Sequence, residues 1–171
     1  MNKKARQMKR IYNQSSRAWM TLLKVLALMF VISPFSLQKA SAQDMQPLSS
    51  ILQSEQSASM YVYSFERCAG LLSTLYARFS NYEDKQMQQL ASALLMKSAS
   101  ASMGALLMAQ DAGLKLTMEQ TTQKALAFGS RYSAIMDESW ERTGHAISPF
   151  IQADQELCLQ LVNKIDEALD Q

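Results

Sequence analysis

Two cysteines far apart in the chain each fall inside an apolar stripe of helical spacing. Around the first, Tyr61, Phe65, Cys68, Leu72, Leu75 and Phe79 follow one another at intervals of 4, 3, 4, 3 and 4. A helix puts such positions on one side, whereas a strand would alternate them. Around the second, Leu157, Cys158, Leu161, Val162, Ile165 and Leu169 form a matching inner side. Each cysteine lies near the middle of its segment, so the two meet at similar height if the first and last helices are antiparallel neighbours. A Cys68–Cys158 disulfide is therefore expected, and such bonds persist in oxidising compartments. The bridge would close a loop of about 90 residues, worth about 4–5 kcal/mol in the chain-entropy picture. There is no C-x-x-C, so the bond is structural rather than a redox centre.

The segments between them read as helices too. Asn81 is a good N-cap, with Glu83 and Asp84 favourably placed in the first turn of a helix carrying Met87, Leu90, Leu94, Ala101, Ala105 and Met108 and stopping at Gly113. Thr117 and Gln120 form a capping box that opens a third helix with Ala125, Phe128, Tyr132 and Ile135 inward, Trp140 near its end and Gly144 closing it. Ser148-Pro149 supplies the cap and first-turn proline of the last helix. Ser50 and Gln53 form a further S-x-x-Q box, so residues 43–56 are an N-terminal extension or a short helix before the 57–171 domain. The expected fold is all-α: an antiparallel, up-down-up-down four-helix bundle with its first and last helices joined by the disulfide.

Residues 1–42 are a different physical object. Lys3, Lys4, Arg6, Lys9, Arg10 and Arg17 precede the eight-residue apolar run Val25–Ile32, Pro34 breaks it, and Ala40-Ser41-Ala42 gives the small-x-small exit of a secretory signal peptide. The run is far shorter than the roughly 20 residues a membrane span requires. Cleavage is expected between Ala42 and Gln43, leaving no stable membrane span and placing the working chain in a bacterial periplasm or outside the cell. Eight of the 17 Lys and Arg precede that junction and all 15 Asp and Glu follow it. Nine cations against 15 anions give residues 43–171 a net charge of −6. An acidic chain of this kind lacks the basic footprint on which nucleic-acid binding rests.

No catalytic, metal or cofactor motif emerges. His145 is the single histidine; with Glu141 it offers too few ligands for a zinc site, and it reads instead as a turn residue complementing a helix C-terminus. The Glu-x-x-His pairs of di-iron bundles and the C-x-x-C-H of c-type haem are missing, as is a G-x-S-x-G elbow. Of 12 methionines, the eight beyond residue 42 are scattered; Met87, Met103 and Met108 read as core filler rather than soft metal ligands. The expectation is a non-enzyme without cofactors. Its candidate interaction surface combines Tyr63, Glu66, Arg67 and Trp140 with Ser98 and Ser102 of an Ala/Ser-rich stretch that includes Gly104. Such a chain reads as an interaction module for another exported or envelope protein. The alternative is a carrier of a small apolar ligand in the bundle core or in the Ala/Ser-rich groove.

Overall fold

Proline, serine, aspartate and threonine at the right offsets start each helix. The computed structural model describes residues 45–54 and 57–169. These form five helices: α1 (Leu48–Ser54), α2 (Ala58–Phe79), α3 (Lys85–Asp111), α4 (Met118–Thr143) and α5 (Pro149–Leu169). No strand occurs among the described residues. The basic opening, its apolar run and the Ala42–Gln43 junction lie outside them.

The caps correct two expectations. Ser50 sits inside α1 rather than capping it; the first turn is closed on the Pro47 carbonyl, which accepts from the Ser50 and Ile51 amides at 3.1 and 3.4 Å. The short stretch before the main domain is thus a helix of its own, and the helix count among the described residues is five rather than four. Asn81 does not cap α3. Its side-chain amide donates back to the Ala77 carbonyl of α2 at 3.0 Å, while Asp84 Oδ1 accepts from the Gln86 and Met87 amides at 2.8 and 3.0 Å. A carboxylate satisfying two orphan amides at the positive end of a helix outcompetes a neutral amide there. The other boundaries fall as expected. Thr117 and Gln120 form a reciprocal capping box, and Gly144 ends α4 with φ 74°, a conformation that costs a side-chain-bearing residue. Ser148 opens α5, its carbonyl and hydroxyl accepting from Gln152 N at 2.9 Å and Ile151 N at 3.4 Å.

The core gathers the expected stripes of α2 and α5, with Phe65, Cys68, Leu72 and Leu75 facing Cys158, Leu161, Val162 and Ile165. Cys68 and Cys158 are both fully buried and bonded, with their Cα atoms 5.2 Å apart. In α3 the inner side is instead Ala91, Leu94, Ser98, Ala101, Gly104, Ala105 and Ala109. This small-residue stripe seats α3 closely on α2: a Cβ on Gly104 would come within 2.9 Å of the Phe65 ring. Leu90 and Met103, expected inward, are turned out by that choice of face. A second close approach joins α2 to α4. A Cβ on Gly70 would stand 2.4 Å from the Ala125 carbonyl oxygen and 2.8 Å from the Gly129 nitrogen. The Thr74 hydroxyl completes the contact, donating to the Gly70 carbonyl at 2.8 Å and lying 3.2 Å from the Gly129 carbonyl. α2 is therefore the central element, with α3 and α4 its closest neighbours and α5 packed on α3 and α2.

Candidate functional site

The first half of α2 presents Ser59, Val62, Tyr63 and Glu66 along one stripe, and α4 presents Lys124, Ala127, Phe128 and Arg131 at the matching i, i+3, i+4, i+7 spacing. The Gly70–Gly129 contact draws the two helices together one turn past Glu66. Between them, and roofed by the α3–α4 turn at Leu114, Lys115 and Leu116, lies a cleft of about 490 Å³. Its walls are apolar. Tyr63 and Phe128 meet edge to face, with centroids 5.2 Å apart and planes at 88°, a favoured aromatic geometry. The Arg131 guanidinium lies 5.9 Å above the Phe128 ring. Three cations, Lys115, Lys124 and Arg131, thus stand around an apolar floor, against a single anion.

That anion is Glu66, whose side chain is only 2% exposed and pairs with Lys124 at 3.2 Å. Burial pushes its pKa above the ordinary carboxylate value; the Lys124 ammonium pulls the other way without cancelling the shift. Lys115 and Arg131 belong to no ion pair among the described residues, in a chain that carries a net −6 over residues 43–171.

The residue beside Glu66 belongs elsewhere. Arg67, expected on an interaction surface, is fully buried. Its Nε donates to the Tyr132 hydroxyl at 2.7 Å and its Nη2 donates to Asp154 Oδ2. Tyr132 donates to the same oxygen at 2.5 Å, and Asp154 Oδ1 accepts the Leu48 amide at 2.8 Å. The guanidinium also lies 5.6 and 5.8 Å from the Tyr132 and Phe150 ring centroids. The physical reason for the correction is the partner: a buried arginine is tolerated where a carboxylate and hydroxyl share its charge, and Asp154 supplies that. Burial raises the Tyr132 pKa far above the phenol value, and the Asp154 charge adds to it against the opposing pull of Arg67. The phenol stays a neutral donor, and the trio is closed off from solvent.

Ser98 is likewise committed. Its hydroxyl donates to the Ala69 carbonyl of α2 at 2.9 Å, and Ser102 donates to the Ser98 carbonyl at 3.2 Å. The inner side of the Ala/Ser-rich stretch is thus occupied by α2, which displaces the idea of a docking groove on that side. Trp140 is 61% exposed but lies apart from Tyr63 and Glu66. It borders a second groove of about 640 Å³ with Phe79, Tyr82, His145 and Ile147. His145 is exposed in the turn after Gly144, where its carbonyl accepts the Ser139 hydroxyl at 2.8 Å. Among the described residues no three His, Cys, Asp or Glu side chains converge to hold a metal.

Of the predicted surface residues, then, only Tyr63 and Glu66 line this cleft. Lys124, Phe128 and Arg131 complete their cleft. Comparison of the chain with protein-family models, with curated proteins and with solved structures finds no match, and function has to be read from these residues themselves.

Proposed function

We propose that this chain is a non-enzymatic, exported interaction module whose α2–α4 cleft takes an acidic segment of another protein, with an apolar side chain seated against Phe128 and Tyr63. The observation that carries this reading is the ring of Lys115, Lys124 and Arg131 around apolar walls in a chain that is otherwise acidic. A positive patch on a negative body steers an acidic partner to one place and repels it elsewhere. Paired aromatics and an arginine are the side chains that most often dominate such contacts. Export fits the N-terminal segment and the buried disulfide; intact-mass measurement of exported material should find the chain beginning at Gln43. For the scaffold, we read the four long helices as an up-down-up-down bundle distorted by the Gly70–Gly129 approach, with α1 added as a clasp.

Labelled peptides carrying Phe or Leu flanked by Asp and Glu provide the test, with Lys-flanked versions as controls. Acidic peptides should bind, lose affinity with added salt, and lose about tenfold or more, equivalent to about 1.4 kcal/mol, with Arg131→Glu. Equal binding of acidic and basic peptides, or indifference to Arg131→Glu, would sink the proposal. The cleft volume also lies within the range of about 300–1,000 Å³ used by small-molecule sites, which keeps the carrier of an apolar ligand as a second reading. Native mass spectrometry separates the two: a bound small mass that disappears in Phe128→Ala favours the carrier.

A further inference from the structure

Among the residues lining the α2–α4 cleft, Glu66 is the one acid, and it has a single counter-ion. Its Oε1 is shut off from solvent and accepts no hydrogen bond among the described residues, while the Lys124 ammonium stands 3.2 Å away. The Lys124 side chain is itself 55% exposed. Its charge therefore serves two sides: the buried carboxylate behind it and whatever occupies the cleft in front.

A carboxylate brought in by a partner competes with Glu66 for that ammonium. Once Lys124 turns to the newcomer, Glu66 is left as a buried charge without a counter-ion, beside a second anion. Burial and a like charge both disfavour the ionised form of a carboxyl group. A proton removes the conflict, because neutral Glu66 neither requires Lys124 nor repels the incoming carboxylate. In the free protein burial already holds the Glu66 pKa above its ordinary value, with Lys124 opposing. The other charged or titratable groups facing it are Tyr63 on α2, Lys124 and Arg131 on α4 and Lys115 in the α3–α4 turn; α3 contributes Ala109 to the cleft, and α1 has no titratable side chain. Phenol, ammonium and guanidinium groups ordinarily hold one charge state across about pH 4–8. Arg67, next in sequence, is turned to Asp154 of α5. Glu66 is thus the group in the cleft whose charge can change over this range.

Resting on that acidic-segment reading, we infer that the cleft binds its partner together with a proton on Glu66, so that the complex is tightest in acid and weakens toward neutral pH. Below the pKa of Glu66 in the free protein the carboxyl is already neutral, and affinity is at its highest. Between the free and bound values each complex takes up as much as about one proton, and affinity falls by up to about tenfold per pH unit. Above the bound value Glu66 stays charged in the complex, and affinity levels off at its lowest.

The probe is a labelled peptide with Phe flanked by cysteic acid, whose sulfonates stay ionised in acid where Asp and Glu do not. Its binding to the full chain, recovered as the host processes it, is followed by fluorescence anisotropy at moderate salt, which screens the distant carboxylates of the acidic body. Isothermal titration in buffers of different ionisation enthalpy counts the protons taken up. Wild type should bind about tenfold or more tighter at the acid end and take up about one proton per complex within the window. Glu66→Gln should bind at every pH as tightly as wild type does in acid, without proton uptake. A wild-type affinity that is flat with pH, or a slope and proton uptake that persist in Glu66→Gln, overturns the inference while leaving the acidic-segment site standing. Absence of binding at every pH, in both proteins, overturns the site and the inference together.

Discussion

Replacing Asp154 by alanine removes the acceptor of three buried hydrogen bonds at once: those from Arg67, from Tyr132 and from the Leu48 amide. The guanidinium of Arg67 is left charged in the core with only neutral Tyr132 beside it. Breaking a buried pair by deleting one partner typically costs about 3–5 kcal/mol. An orphaned Leu48 amide adds about 1–3 kcal/mol where it stays buried, so the local response is for α1 to lift off and rehydrate. The expected total is about 4 kcal/mol, near the low end of the 5–15 kcal/mol that such domains possess. Urea unfolding followed by circular dichroism gives the global loss, and amide hydrogen exchange at Leu48 reports release of α1 directly. The double variant Arg67→Met, Asp154→Leu should recover much of the loss, because uncharged residues of similar size remove the stranded charge. A cost below about 1 kcal/mol for Asp154→Ala would refute this account of the core, as would a double variant no more stable than the single one.

Three further outcomes follow from the same structure. Cys158→Ser should lower stability by about 2–5 kcal/mol in urea titrations, with Cys68→Ser, Cys158→Ser hardly worse, because the bond is already gone after one change. Gly70→Ala should destabilise by about 1–3 kcal/mol, since its Cβ meets the backbone of α4, whereas Gly113→Ala costs only the strain of a left-handed residue, about 1 kcal/mol, in open space. Glu66→Gln tests the cleft carboxyl. The folded-state pKa of Glu66 is raised above 4.5, so the stabilising contribution of its protonated form is present below pH 4.5 and is lost as pH rises through the folded value. The glutamine variant should therefore gain stability relative to wild type at neutral pH and lose that advantage in acid; the opposite trend in paired thermal melts would show that the Lys124 contact outweighs burial.

Much of the helical pattern was readable because apolar spacing and caps act locally. The stripes through Cys68 and Cys158, the Thr117–Gln120 box and the Gly144 stop need no knowledge of other elements. Local rules fail where a choice depends on a distant partner. Asn81 and Asp84 are both acceptable caps in isolation, and a hydrogen bond from Asn81 back to Ala77 decides between them. Leu90 and Met103 outrank Ala91 and Ala101 in hydrophobicity, yet the close seat on α2 selects the small residues. Arg67 looked like surface because nothing near it in sequence can neutralise it; its partner lies 87 positions away. A signal did exist, since Asp154 interrupts the stripe Ile151, Asp154, Cys158, Leu161, Ile165 at a core position, and a carboxylate there implies a buried cation. The cleft was half visible in Tyr63 and Glu66. Its other wall, Lys124-Ala127-Phe128-Arg131, shows only once helical spacing is applied to charged as well as apolar residues.

The Leu48–Asp154 hydrogen bond and the Cys68–Cys158 disulfide both tie an early stretch of chain to α5, across separations of 106 and 90 residues. A polypeptide threaded N-terminus first through a narrow pore would deliver Leu48 and Cys68 long before their partners. α2 and α3 can begin to associate while the rest is still in transit, but neither the clasp nor the bond can form until the final helix has emerged. Until then Arg67 has no carboxylate and Cys68 no partner. The helix α5, made after the others at about 5–20 residues per second of synthesis, thus acts as the key that locks everything before it. A chain cut short before Asp154 would leave a product with an unpaired Cys68, an uncompensated Arg67 and an α1 with nothing to hold it.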